Sequence, residues 1–246
     1  MVQTDIIFSI NVHEKKDFLI KQIKNINDQV SLNYIIVINP NKHMYNEISN
    51  CEFIKSKENI ILNKNYLEKS RMHGSLTKGI YLNMEYAINN YEFKYFIILS
   101  SRNMFYNKLT NKNYNTLVKD GNISEGHRCW TYEQLNVKEW HWPSFLKTKL
   151  SKYIINKKWL FSGGAHEGLT FDYISCKNII NFLNNNNDIR TNLFNWNKCV
   201  EEFALQTICI NLTGYYYYIG NGVGTTKPHE IQKLPKNKFV YKTNRI

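Results

Sequence analysis

Two short segments of the chain carry residue types able to do chemistry. The first is Phe161-Ser162-Gly163-Gly164-Ala165-His166-Glu167-Gly168, where three glycines let backbone approach a ligand closely and a His and a Glu stand among them. The second is Glu201-Glu202, two carboxylates at the start of an apolar stretch running to residue 212. A positioned carboxylate can take the proton of an attacking hydroxyl, and an imidazole can give or accept one near neutral pH. Both segments also have ordinary uses. A glycine-rich turn can simply precede a regular element, and acids at a helix start complement its dipole.

Other catalytic templates are missing. No GxGxxG follows the first apolar run, and GxxxxGK[ST], HExxH and GxSxG do not occur. Gly222-Val223-Gly224 lacks its third glycine, and His13-Glu14 is an isolated pair. The five cysteines (Cys51, Cys129, Cys176, Cys199 and Cys209) show no CxxC spacing, so they read as free thiols and indicate neither a disulfide framework nor a zinc site.

The elements that must hold these residues follow from hydrophobic pattern. Residues 5–12, 34–38 and 95–99 are apolar, β-branched runs and read as buried strands, with a brief further run at 59–62. Residues 13–26 and 79–90 have apolar positions at helical spacing. The pattern predicts further helices over 169–183, N-capped by Thr170, and over 200–212, a loop at 184–187 and a strand at 215–219. Residues 104–158 read as loops and short helices laid over the sheet. Strands alternating with helices imply an α/β fold with a mostly parallel sheet covered on both faces. Ligands then bind at the carboxyl ends of the strands, here Asn11-Val12-His13, Asn39-Pro40 and Ser100-Ser101-Arg102-Asn103. No composition break marks a linker, so a single domain is expected over 1–246, with a nucleotide-binding half (1–103) and an acceptor and catalytic half (104–246).

Composition narrows the class. The chain has 246 residues, 43% apolar and 14% aromatic, which excludes a disordered or fibrous protein. No apolar run approaches the ~18 residues of a membrane span, and the N-terminus lacks a signal-peptide pattern; a cytoplasmic protein, or one peripheral to a membrane, is expected. The net charge of +12 invites a nucleic-acid reading, yet 27 of the 32 basic residues are Lys, alongside abundant Asn, Ile, Tyr and Phe. AT-rich codons specify all five, so much of the charge is compositional and nucleic acid is not the expected partner.

Taken in order, six segments resemble the core-2/I-branching N-acetylglucosaminyltransferase family and its looser bacterial and viral relatives. They are Ser9-Ile10-Asn11-Val12-His13, Ile35-Ile36-Val37-Ile38-Asn39, Leu82-Asn83 after His73-Gly74-Ser75, Tyr95-Phe96-Ile97-Ile98-Leu99-Ser100, Ser162-Gly163-Gly164 and Glu201-Glu202. The likeness spans residues 5–220 except 104–158. It departs after the fourth strand, where the family often has Gly and Asp and this chain has Ser101 and Asn103, and at His166-Glu167-Gly168. The resemblance implies a GT-A fold and an inverting transfer of a sugar (N-acetylglucosamine or a related hexose) from a UDP-sugar to a glycan or other hydroxyl acceptor.

Glu202 aligns with the family's catalytic base, with Glu201 beside it. Donor contacts fall to Asn11, Val12, His13, Asn39, Ser101 and Arg102. Tail cations, Lys227 first among Lys233, Lys236, Lys238, Lys242 and Arg245, are expected on the diphosphate, with Arg71 secondary; His166, Glu167 and Trp142, or else Trp130, face the acceptor. No cofactor or divalent metal is expected. The fourth strand ends in Ser-Ser-Arg-Asn where many nucleotide-sugar transferases carry Asp-x-Asp, and an Arg there repels a hard cation. The alternatives are a metal-dependent or retaining enzyme of the same fold, a basic module for nucleic acid or an anionic surface, and a lectin-like binder.

Overall fold

A computed structural model describes residues 1–12, 15–119, 128–135, 143–221, 225–236 and 238–243. The strands are β1 (Val2–Val12), β2 (Tyr34–Pro40), β3 (Ile60–Leu62), β4 (Tyr91–Ser100), β5 (Asn103–Phe105), β6 (Arg128–Trp130), β7 (Phe161–Gly163), β8 (Leu169–Asp172), β9 (Tyr217–Tyr218) and β10 (Val240–Lys242). Six of them form one sheet in the order β3-β2-β1-β4-β8-β9. The pairs β2–β3, β1–β2 and β1–β4 are parallel, whereas β8 runs antiparallel to β4, and β9 to β8. Short pairs β5–β10 and β6–β7 lie outside it. The expected α/β class with a mostly parallel sheet is what the chain forms.

The helices are α1 (Lys16–Gln29), α2 (Tyr45–Ser49), α3 (Glu52–Lys55), α4 (Ser75–Asn90), α5 (Asn111–Lys119), α6 (Lys149–Lys157), α7 (Tyr173–Asn185), α8 (Asn187–Phe194) and α9 (Ala204–Thr213). Side chains alternate across a strand, so β1 feeds two cores. Ile6, Phe8 and Ile10 pack with Leu19, Ile23 and Ile26 of α1 on one face. Ile7, with Val37, Phe96 and Ile98, meets α4, α7 and α9 on the other. Each such buried side chain contributes about 1.5–3 kcal/mol relative to exposure. Among the described residues no helix is long and apolar enough to cross a membrane.

Three boundaries differ from expectation. Residues 169–172 are a strand, and the helix begins at Tyr173 with Asp172 as its cap, accepting from the Ser175 amide at 2.7 Å. Leu169, Thr170 and Phe171 are as apolar as a helix start, and only pairing with β4 decides their state. The stretch from residue 200 splits into a 3-10 turn, Val200–Glu202, and α9, with Phe203 outside helical geometry between them. The run of asparagines ends in α8, where buried Ile189 and Leu193 outweigh asparagine's weak helix propensity.

Candidate active site

Strand register sets the first part of the site. Asn39, Asn11 and Ser100 stand side by side at the carboxyl ends of β2, β1 and β4. Asn11 Nδ2 donates to the Leu76 carbonyl at 2.8 Å, and Asn39 Nδ2 to that of Asn65 at 3.2 Å. The Oδ1 atoms of both, with Thr77 Oγ1 and Ser101 Oγ, are buried without a hydrogen-bond partner. Buried polar atoms are ordinarily paired, and four orphans along one edge suit a polar ligand. Val12 is buried, its carbonyl taking the Asn41 amide at 2.7 Å; His13 lies outside the described residues.

Lys69 joins this edge without having been foreseen. It is 5% exposed, and Nζ donates to the carbonyls of Asn39 at 2.9 Å and Pro40 at 2.7 Å. Asn41 fastens its backbone from both sides. Burial pushes the ammonium down to about 7, with nearby Glu68 opposing. Gly79 makes the room: a Cβ there would sit 2.4 Å from Asn11 Oδ1 and 2.8 Å from Lys69 Cε. Nothing marks Lys69 among 27 lysines, but a glycine inside a helix is costly enough to signal a close approach.

The end of β4 turns sharply. Asn103 Oδ1 accepts from the Ser100 amide at 2.6 Å and from its hydroxyl at 3.0 Å. Arg102 donates to the Thr243 carbonyl at 3.2 Å, and β10 pairs with β5 so that Lys242 stands opposite Asn103. The tail is thereby laid across the sheet edge, and Lys242 ion-pairs with Glu167. Lys227 is exposed and opens the 3-10 turn Pro228–Lys233, its amide bonded to Glu230 at 2.8 Å. Lys242, one of the tail lysines expected on the diphosphate, is thus engaged by a site carboxylate. A cavity of about 280 Å³ lies beside this pair, lined also by Asn103, Asn221, Thr226 and Lys233.

The glycine-rich turn at 161–168 and the Glu201-Glu202 turn are brought together. Thr207 of α9 accepts from the Ser162 amide at 2.9 Å and donates to its carbonyl at 2.7 Å, and the Gly164 amide donates to the Glu202 carbonyl at 2.8 Å. Gly168, at φ +94°, donates its amide to Ile98 of β4 at 2.7 Å and passes so close to Gly220 that a Cβ would lie 2.5 Å from that nitrogen. His166 and Glu167 are held in this turn, the imidazole 3.5 Å from the carboxylate.

Electrostatics separates the acids. Burial disfavours an ionised Glu167, but His166 and the hydrogen-bonded Lys242 together outweigh it and hold the carboxyl down at about 2. Burial lowers His166, with the neighbouring Glu167 and Glu202 charges opposing. Glu201 is 4% exposed with Oε2 unpartnered; burial, reinforced by the charges of Glu202 and Glu167, pushes it up to about 8. Glu202 is partly exposed. The site thus holds a proton-bearing carboxyl next to an accessible one, an arrangement suited to proton transfer.

Trp142 lies outside the described residues, while Trp130 stacks on Phe161 at 5.4 Å. Arg71 is exposed and acts electrostatically on Cys199, whose thiol burial raises. Among the described residues no three His, Cys, Asp or Glu side chains gather as a metal cluster. The chain matches no protein-family model and no curated protein sequence.

Proposed function

We propose that the protein is an inverting glycosyltransferase of GT-A type that takes a sugar from a UDP-sugar and needs no metal. The observation that carries this reading is the fastening of the Glu202 turn to the Ser-Gly-Gly-Ala-His-Glu turn, alongside a row of unpartnered polar atoms at the strand-end edge. The sheet order, four parallel strands followed by antiparallel ones, supports it as well.

In this reading uridine lies along Asn39 and Asn11, and the acceptor enters beside His166. The Glu202 carboxylate takes the acceptor hydroxyl's proton as its oxygen bonds to the anomeric carbon. The bond from that carbon to the diphosphate breaks on the opposite side, and UDP leaves with the electron pair. Lys242 and Arg102 are the cations set to neutralise the departing charge, which is an electrostatic role.

The test is thermal unfolding with millimolar nucleotides. UDP is expected to raise the melting temperature with or without EDTA, more than ADP does, since a ligand that binds only the folded state stabilises it. An absent UDP shift sinks the reading; a shift lost on chelation converts it to a metal-dependent transferase.

A further inference from the structure

We propose that the corner formed by the end of α6, the start of α7 and the end of α9 is a docking surface for an anionic lipid bilayer. Three large aliphatic side chains stand out there: Leu160 and Leu212, each 38% exposed, and Ile174, 58% exposed. They come from separate parts of the chain, and hydrogen bonds bring their backbones to the same helix end. Asn211 binds both the amide and the carbonyl of Leu160, at 2.8 and 2.7 Å, which puts Leu160 beside Leu212. The Ser175 hydroxyl reaches Thr213 at 3.4 Å, which puts Ile174 beside the same helix end.

Charge decides the occupant. Lys157, Lys158 and Lys177 are exposed around these aliphatics, and among the described residues no carboxylate pairs with any of them. Residues 147–182 contain six lysines and two acids. One acid, Glu167, is engaged by Lys242 at the far edge; the other, Asp172, is held by the Tyr215 hydroxyl at 2.5 Å and the Ser175 amide. Half-buried Trp159, edge-on to Tyr153 at 5.0 Å and tilted against Phe182 at 5.4 Å, supplies the amphipathic ring usual at a membrane interface. Projecting aliphatics ringed by lysines enter the headgroup region while the ammonium groups meet anionic lipid. A polynucleotide has no use for the aliphatics.

The ten residues of α9 place this corner about 15 Å from Glu202. Docked here, the protein keeps its candidate active edge off the bilayer and open to substrate from solution.

Vesicle co-sedimentation of the full chain at physiological salt tests this. Binding to phosphatidylcholine vesicles containing phosphatidylserine is expected to be at least about tenfold tighter than to phosphatidylcholine alone. Ile174→Ser with Leu212→Ser should weaken it by about tenfold at an unchanged melting temperature, both positions being exposed. Lys157→Gln, Lys158→Gln and Lys177→Gln together should erase the preference for anionic lipid, and Lys233→Gln with Lys236→Gln should not. Equal binding to neutral vesicles, or none to either, overturns the proposal. So does a serine pair that binds like the parent, or binding to duplex DNA that depends on the three lysines as strongly as vesicle binding does.

Discussion

At the ends of β1 and β2, Asn11, Asn39 and Lys69 are fixed by neutral contacts to backbone carbonyls. Across the same edge, Glu167, Glu201, Glu202 and His166 crowd three carboxylates and an imidazole into two short turns. The first side is built from long strands and offers unpartnered polar atoms to a ligand. The second is built from a 3-10 turn and a glycine-rich turn, and its charges perturb one another. Recognition needs a fixed pattern of donors and acceptors, whereas proton transfer needs a carboxyl whose affinity for a proton differs from its neighbour's. On the proposed glycosyltransferase reading, each side has the material its task requires.

Glu202→Gln should separate the two sides most sharply. Turnover is expected to fall by about 10²–10⁴-fold, the usual contribution of a positioned base, while the UDP-induced rise in melting temperature persists. Retained turnover would move the base to another residue, and a lost UDP shift would show that the two sides are not independent.

A glycine on each side gives the next contrast. Gly168→Ala places a Cβ 2.5 Å from the Gly220 backbone at a left-handed φ of +94°, and backbone cannot step aside. Stability should drop by about 2–3 kcal/mol, read as a lower urea midpoint. Gly79→Ala meets two buried side chains, Asn11 and Lys69, which can give way only by loosening the hydrogen bonds that fix them. Its stability cost should stay below that of Gly168→Ala, since no backbone has to shift, but the displaced Asn11 should weaken UDP binding. A Gly79→Ala protein that binds UDP normally would remove Asn11 from the recognition side.

The two sides were also unequally legible. Runs such as Tyr34-Ile35-Ile36-Val37-Ile38 announce strands, and the strand-end rule then points to Asn11, Asn39 and Ser101 without further information. Glu201-Glu202 and the His166 turn were legible as candidates by residue type alone. What sequence does not reveal is their joining, which rests on Thr207 gripping Ser162 across 45 residues and on Gly164 reaching Glu202. Lys69 was invisible because its burial depends on Asn41, 28 residues earlier, holding its backbone. Lys242 could be named only as one of several tail cations, since its selection requires β10 to pair with β5.

The last contrast between the two sides is by pH. Glu201 is raised from its ordinary 4.5 to about 8, so between those values the folded protein keeps a proton that the unfolded chain has released. Its contribution to stability is therefore complete below pH 4.5 and is lost as pH rises through 8. Lys69 is lowered from 10.5 to about 7, so between those values the unfolded chain holds a proton that the folded protein lacks, and stability rises with pH. Each slope is at most about 1.4 kcal/mol per pH unit. Melting temperatures across pH 5–10 should show Glu201→Gln flattening the fall on the acid side of 8, and Lys69→Met flattening the rise above 7. Lys69→Met also unties the Asn39 and Pro40 carbonyls, so the slope and not the absolute melting temperature carries its meaning. If both variants keep the parent's pH dependence, the buried carboxyl and the buried ammonium do not titrate in these windows, and the division into a neutral recognition side and a proton-handling side loses its electrostatic basis.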